Sequence, residues 1–217
     1  MKKIALVGYR DWALKIYENI IKERDLETIL ISSKDKFSEA KLIEFSPDII
    51  LFYGWSWFVD KKLLNKFTCL MLHPSPLPKY RGGSPIQNQI IMGESKSKVT
   101  IFIMSDEMDA GDIVGQSDFS LQGSLKSIFE RITHEGTKLT LSIIDNGLKP
   151  IKQDHEKATS YKRRRPEESE ITIDEIKNKD AIYLYNKIRM LADPYPNAFI
   201  KTKDGNKLII KDALLDE

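Results

Sequence analysis

The sequence is poor in the residues that staple or metallate small proteins. Its 217 residues include one cysteine, Cys69, and three histidines, His73, His134 and His155. A single cysteine excludes a disulfide framework and a multi-cysteine zinc site, and it suits a reducing compartment. Long apolar runs are lacking: none approaches the roughly 20 residues that cross a bilayer. The run that follows the basic start Met1-Lys2-Lys3 ends at Arg10-Asp11, too short for a signal peptide. A cytoplasmic protein with no membrane partner is expected. Net charge is scarce as well, with 34 Lys+Arg against 32 Asp+Glu leaving +2. Dedicated nucleic-acid binders carry a basic excess or face, so no nucleic-acid partner is expected. Glycine is thin where a dinucleotide fold needs it. Val7-Gly8-Tyr9-Arg10-Asp11-Trp12 holds one, which argues against a dinucleotide-dependent oxidoreductase.

What is present describes an ordinary globular chain, 41% hydrophobic and 30% charged. Short apolar runs over 4–8, 28–31, 49–53 and 70–73 read as buried strands. Helical spacing separates them over 12–21, 37–45 and 60–66, the last with Asp60 as N-cap. Such alternation predicts an α/β fold with a doubly wound, mostly parallel, Rossmann-like sheet. A helix over 84–92 opens with Pro85. Strands over 99–104 and 113–119 precede the longest helix, 124–146, capped by Ser124 and stopped by Gly147. The expected division is a catalytic domain over 1–152, a polar linker over 153–170 around Lys162-Arg163-Arg164-Arg165-Pro166, and a small C-terminal α+β unit over 171–217. That unit holds a helix over 180–191 and a hairpin around Asp204-Gly205.

Chemistry concentrates at two places. His73 ends a strand, where open α/β sheets bind ligands, and an imidazole there can move protons near neutral pH. His134 and His155 read as packed or solvated side chains. Ser105-Asp106-Glu107-Met108-Asp109-Ala110-Gly111-Asp112 is an acidic loop directly after the 99–104 strand. It lacks a calcium-loop pattern and has no nearby histidine, so no metal is expected. One of its carboxylates is suited to orient and charge His73.

The run His73-Pro74-Ser75, then Leu77-Pro78-Lys79-Tyr80-Arg81-Gly82, then Met108-Asp109-Ala110-Gly111-Asp112-Ile113, with Asp109 36 residues after His73, resembles the 10-formyltetrahydrofolate-dependent formyltransferases. Tyr53-Gly54-Trp55-Ser56-Trp57 resembles the family's pterin-pocket segment. The resemblance implies 10-formyltetrahydrofolate as co-substrate, with His73 and Asp109 catalytic. Trp55, Ser56, Trp57, Ser105 and Asp106 would border the folate. Arg10, Ser75, Lys79, Tyr80, Arg81, Gly82 and Gly83 would border the acceptor, with Arg10, Lys79 and Arg81 on phosphate. The family's oxyanion-donating Asn lies two residues before the His, where this chain has Met71; a thioether donates no hydrogen bond. Asn88 is a candidate substitute; protonated His73 with backbone amides, or a chain that binds without efficient turnover, are the alternatives. Trp55 and Trp57 sit two apart on an extended stretch and should point in opposite directions.

For the acceptor, Tyr161–Ser169 and Ile188–Phe199 resemble the linker, helix and turn of the nucleotide-sugar N-formyltransferases. The expected acceptor is therefore the amine of a nucleotide-linked 4-amino-4,6-dideoxyhexose, leaning to GDP-perosamine, for a surface polysaccharide such as O-antigen. The alternatives are methionyl-tRNA, glycinamide ribonucleotide, or a non-catalytic nucleotide-binding module. A homodimer through the C-terminal region is expected.

Overall fold

The computed structural model describes residues 2–216; Met1 and Glu217, the outermost residues of the two expected units, lie outside the described residues. The first half alternates β1 (Lys2–Val7), α1 (Asp11–Glu23), β2 (Leu26–Ile31), α2 (Glu39–Phe45), β3 (Ile49–Tyr53), α3 (Lys61–Lys66) and β4 (Cys69–His73). Next come β5 (Arg81–Gly82), α4 (Pro85–Ile91), β6 (Lys96–Ile103), β7 (Ile113–Ser120) and α5 (Leu125–Asn146). The chain ends with β8 (Ser160–Tyr161), α6 (Ile173–Asn178), α7 (Ala181–Arg189), β9 (Ala198–Lys201) and β10 (Lys207–Ile210).

Six strands form one sheet in the order β2-β1-β3-β4-β6-β7. The first four are parallel, and β6 and β7 run antiparallel to their neighbours. This is the expected doubly wound, mostly parallel sheet. Side chains alternate across a strand, so both faces of β1 are apolar: Ile4 and Leu6 pack into one core with α1 and α5, Ala5 and Val7 into the other with α2 and α3. On β4, Leu70 and Leu72 face the first core. Cys69 and Met71 face the second, and His73 follows them on that side. Burial pushes the Cys69 thiol up to about 12, which makes it an inert core residue.

The carboxyl ends of β1 and β3 are held by one phenol. Tyr17 on α1 is fully buried, and its hydroxyl accepts from the Tyr53 amide at 2.9 Å. The same hydroxyl lies 2.9 and 2.8 Å from the carbonyls of Val7 and Leu51, which share its proton. It thereby joins the ends of β1 and β3. Burial drives the phenol well above its usual range.

Two segments differ from expectation. The stretch over 153–170 is no free connector: β8 pairs in parallel with β5, so this strap runs along the loop that follows His73. Helix α6 has only Ile173 and Ile176 as apolar residues, too few for a periodic signal, and is set by a reciprocal cap between Thr172 and Glu175. The hairpin β9–β10 lies where expected. Ile171, Ile188, Met190, Leu191 and Ala198 of the last part join the main core. Among the described residues no helix is long and apolar enough to cross a membrane.

Replacing Tyr17 by Phe leaves the buried Tyr53 amide without an acceptor. The expected loss is about 1–3 kcal/mol, read as a lower urea midpoint at unchanged slope; an unchanged midpoint would show that this hydroxyl does not hold the strand ends.

Candidate active site

His73 stands opposite Thr100 on β6. The chain turns back sharply after it, and polar side chains beneath pin the turn. Thr100 Oγ1 donates to the Ser75 carbonyl at 2.6 Å. Gln116 Nε2 donates to Thr100 Oγ1 at 2.9 Å and to the Leu77 carbonyl at 3.0 Å. Gln89 Nε2 donates to the Pro74 carbonyl at 2.9 Å. The turn returns Tyr80 to the imidazole, whose Nε2 donates to the Tyr80 carbonyl at 2.8 Å. A carbonyl only accepts, so the Nε2 proton is assigned by its partner. Nδ1 is then the ring atom left for proton exchange. It lies 3.6 Å from Asp109 Oδ2, and the two side chains are 7% and 9% exposed. That separation exceeds a hydrogen bond; the contact is electrostatic, and low exposure keeps water from screening it.

Asp109 Oδ2 also accepts from the Gly82 amide at 2.7 Å. One carboxylate oxygen is thus shared by a backbone donor on β5 and the ring on β4. Backbone conformation here is costly. Among the described residues, Tyr80, Ser84 and Asp109 are three of the four non-glycine residues with positive φ, at 60°, 51° and 53°. Gly82 has φ of 91°, and a Cβ on it would come within 2.3 Å of the Tyr161 carbonyl; a Cβ on Gly83 would meet the Arg163 backbone at 2.3 Å. The strap can therefore lie flat on the loop. It bonds there throughout: Tyr80 N to Thr159 Oγ1 at 2.9 Å, Arg81 N to the Thr159 carbonyl at 2.8 Å, Gly83 N to the Tyr161 carbonyl at 2.8 Å. The rings of Tyr80 and Tyr161 stack at 5.2 Å.

The structure brings His73, Asp109, Tyr80 and Gly82 together. It corrects other expectations. Arg81 does not reach out to phosphate: it is buried, its Nε and Nη2 donate to Gln153 Oε1 at 3.2 and 2.7 Å, and its Nη1 lies 3.5 Å from Glu107. The Asn88 amide is engaged on its own helix end, donating to the Gly83 carbonyl at 2.9 Å, and makes no bond to His73 or Asp109. Trp55 and Trp57 do not diverge. Gly54, with φ of 63°, bends the chain out of extended geometry, and the two indoles meet edge to face at 4.6 Å beside Tyr9. Ser75 is buried, with Oγ donating to the Lys79 carbonyl. Ser105 Oγ donates to the Glu107 carbonyl, and Asp106 pairs with Lys61. Lys79 is exposed.

A cationic cradle lies at the ends of β1 and β3. The Arg10 guanidinium sits 4.9 Å from the Tyr9 ring centre and 6.0 Å from that of Tyr195. Arg163 of the strap donates to Ser56 Oγ at 3.3 Å, which in turn lies 2.9 Å from the Tyr9 hydroxyl. Burial pushes the Tyr195 phenol up, with Arg10 opposing. The buried amide Nε2 of Gln87 and indole Nε1 of Trp55 have no hydrogen-bond partner among the described residues. No group of three or more His, Cys, Asp or Glu residues suited to a metal occurs among them.

Residues that sequence reasoning passed over are Gln89, Thr100, Gln116, Gln153 and Thr159. Each acts on backbone from a distant segment. The apolar content of β6 and the run over 113–119 signal strands but not which polar side chain supports the loop.

The formyl transferase family profile matches residues 14–144, and a profile described as the methionyl-tRNA formyltransferase C-terminal domain matches residues 166–216. Methionyl-tRNA formyltransferase of Hydrogenobaculum sp. (strain Y04AAS1) is 32% identical over 208 residues, covering 91% of this chain and 67% of the relative. Other curated relatives of that name are matched over 53–58% of their length, so the chain spans little more than half of them. The structure of methionyl-tRNA formyltransferase from Clostridium thermocellum is 31% identical with a TM-score of 0.85, covering 97% of each chain. A 4-N formyltransferase from Francisella tularensis shares the fold at a TM-score of 0.79, with 23% identity over 100% of this chain and 98% of that one.

Arg81→Ala should act on stability. Removing a buried guanidinium bonded to Gln153 is expected to cost about 2–3 kcal/mol in urea denaturation, with little change in pyrophosphate affinity. A stable variant with weakened pyrophosphate binding would return Arg81 to the role of a phosphate ligand.

Proposed function

The chain belongs to the formyl transferase family, and we propose that it moves a formyl group from 10-formyltetrahydrofolate to a primary amine, with His73 and Asp109 as the catalytic pair. The observation that carries this reading is the convergence of Nδ1, Oδ2 and the Gly82 amide at one point.

The surroundings fit a folate. Trp55 and Trp57 of the aromatic turn pack in the same apolar cluster as Met71 and Met104, and Asp106, two residues after Met104, pairs with Lys61 at the start of α3. The unpartnered Trp55 indole and the aromatic faces suit a flat heterocycle with hydrogen-bonding edges. When bound, 10-formyltetrahydrofolate supplies a formyl carbon open to attack by an amine. The chain's own part is proton handling. His73 Nδ1 takes the proton that the acceptor nitrogen must lose and returns one to the leaving side. Asp109 Oδ2 offsets the charge on the ring, and the Gly82 amide keeps that carboxylate in place. Met71 contributes no donor, and Nε2–H is committed to Tyr80, so once Nδ1 has taken the acceptor's proton the charged ring replaces a neutral amide donor at the formyl oxygen.

Two acceptors have support. The relatives above 30% identity favour methionyl-tRNA, and the strap's run Lys162–Arg165 offers cations for an RNA end. A nucleotide-linked amino sugar, the acceptor expected from the motifs, is favoured by the compactness of the cradle: Arg10 and Arg163 suit a diphosphate, with Tyr9 and Tyr195 beside them.

His73→Asn and Asp109→Asn should each lower kcat by about 100-fold or more while the protein stays folded. Near-normal release of tetrahydrofolate by either purified variant would refute the pair. Release assayed with methionyl-tRNA and with GDP- and dTDP-linked amino sugars identifies the acceptor, and binding of donor and acceptors with no release from any would favour a non-catalytic module. Arg10→Ala should raise KM for the phosphate-bearing acceptor about tenfold or more and leave KM for the folate unchanged; an unchanged acceptor KM removes Arg10 from the acceptor site.

A further inference from the structure

Gln153 stands in the polar strap, outside both chemistry-bearing motifs. It is 5% exposed. Its side-chain oxygen accepts from Arg81 Nε and Nη2 at 3.2 and 2.7 Å. Its side-chain nitrogen donates to the Asp109 carbonyl at 2.9 Å and the Gly111 carbonyl at 2.7 Å. A carboxamide has two donors and two acceptor lone pairs, so every site on it is used. Those bonds grip the chain on both sides of Ala110, where the backbone is left-handed before it and closely packed after it. Asp109 has φ of 53°, and a Cβ at residue 111 would lie 1.7 Å from the Ile103 carbonyl. Arg81, on the other side of the amide, belongs to β5, whose next residue, Gly82, donates to Asp109 Oδ2 at 2.7 Å. The carboxylate is therefore held through its side chain by one strand and through its main chain by an amide cross-linked to that same strand.

We propose that Gln153 is a positioning residue for Asp109: it holds the aspartate's backbone in the left-handed conformation that keeps Oδ2 beside His73 Nδ1. The proposal rests on the reading of His73 and Asp109 as the catalytic pair. Only an amide serves at this position. Glu at 153 would keep the acceptor for Arg81 but turn an oxygen toward two carbonyls. The Asp109 loop would move, and a displacement of about 1 Å is enough to lose roughly 100-fold in rate.

The test uses the full chain carrying Gln153→Glu or Gln153→Ala, the second covering the case in which the first does not fold. Asp109→Asn and the remote core substitution Ile143→Val serve as references. The expected result is a kcat about 10- to 100-fold lower, KM for donor and acceptor within about threefold, and a shift of about one unit in the pH at which kcat falls. Adding Gln153→Ala to Asp109→Asn should lower the residual kcat little further, since both act through one carboxylate. Backbone hydrogen exchange over residues 107–112 should quicken in the Gln153 variants and not in Ile143→Val. Wild-type kcat, pH profile and loop exchange would overturn the proposal. So would a kcat loss that Ile143→Val reproduces at equal thermal midpoint, because Gln153 would then be a packing residue. Normal turnover by Asp109→Asn would instead sink the catalytic pair. The exchange measurement would then decide by itself whether Gln153 holds the loop, with unchanged exchange over 107–112 counting against it.

Discussion

Asp109 Oδ2 is shared by an amide proton of β5 and the imidazole that ends β4. Little about that atom is local. The amide is brought by a turn pinned from β6 and β7, the ring is fixed by the Tyr80 carbonyl, and the aspartate is held in a left-handed conformation from a strap more than 40 residues downstream. A buried carboxylate facing a buried ring interacts strongly because water is excluded, and for the same reason its position must be set by many bonds. Four glutamine and threonine side chains, on β6, β7, α4 and the strap, meet that requirement.

The doubly wound sheet explains where this happens. Parallel strands leave their carboxyl ends together, and the order β1-β3-β4 sets the Arg10 turn, the aromatic turn at Gly54 and His73 side by side. Tyr17 keeps the first two ends in register with one hydroxyl. The strap then crosses this edge: Gln153 serves the Asp109 loop, Thr159 and Tyr161 serve the loop after His73, and Arg163 reaches Ser56 beside Tyr9. One segment thus connects the His73–Asp109 contact with the cationic cradle.

Charge follows the same logic. A chain with a net charge of +2 has no strong overall field for an anionic partner. Positive charge is instead placed locally, at Arg10 beside the Tyr9 and Tyr195 rings and at Arg163 on Ser56. Arg81, which looks equivalent in sequence, is spent inside the protein on Gln153 and Glu107. Arginines cannot be told apart by residue type; burial and partners separate them.

Read alone, the chain already determined its layers and the two motifs that carry His73 and Asp109. Apolar runs of the right length, helical spacing between them, Asp60 and Ser124 as caps and Gly147 as a stop act within a few residues, so local physics is enough to place them. His73 at a strand end and Asp109 in the loop after another strand were legible because each motif is contiguous. The roles of Arg81 and Asn88, the meeting of Trp55 with Trp57, the pairing of β8 with β5 and the grip of Gln153 were not. Each depends on which distant backbone comes within hydrogen-bonding reach, or on a single positive φ at Gly54 that turns an alternating stretch into a bend. Such contacts form only when the sheet has assembled, and a linear pattern carries no record of them.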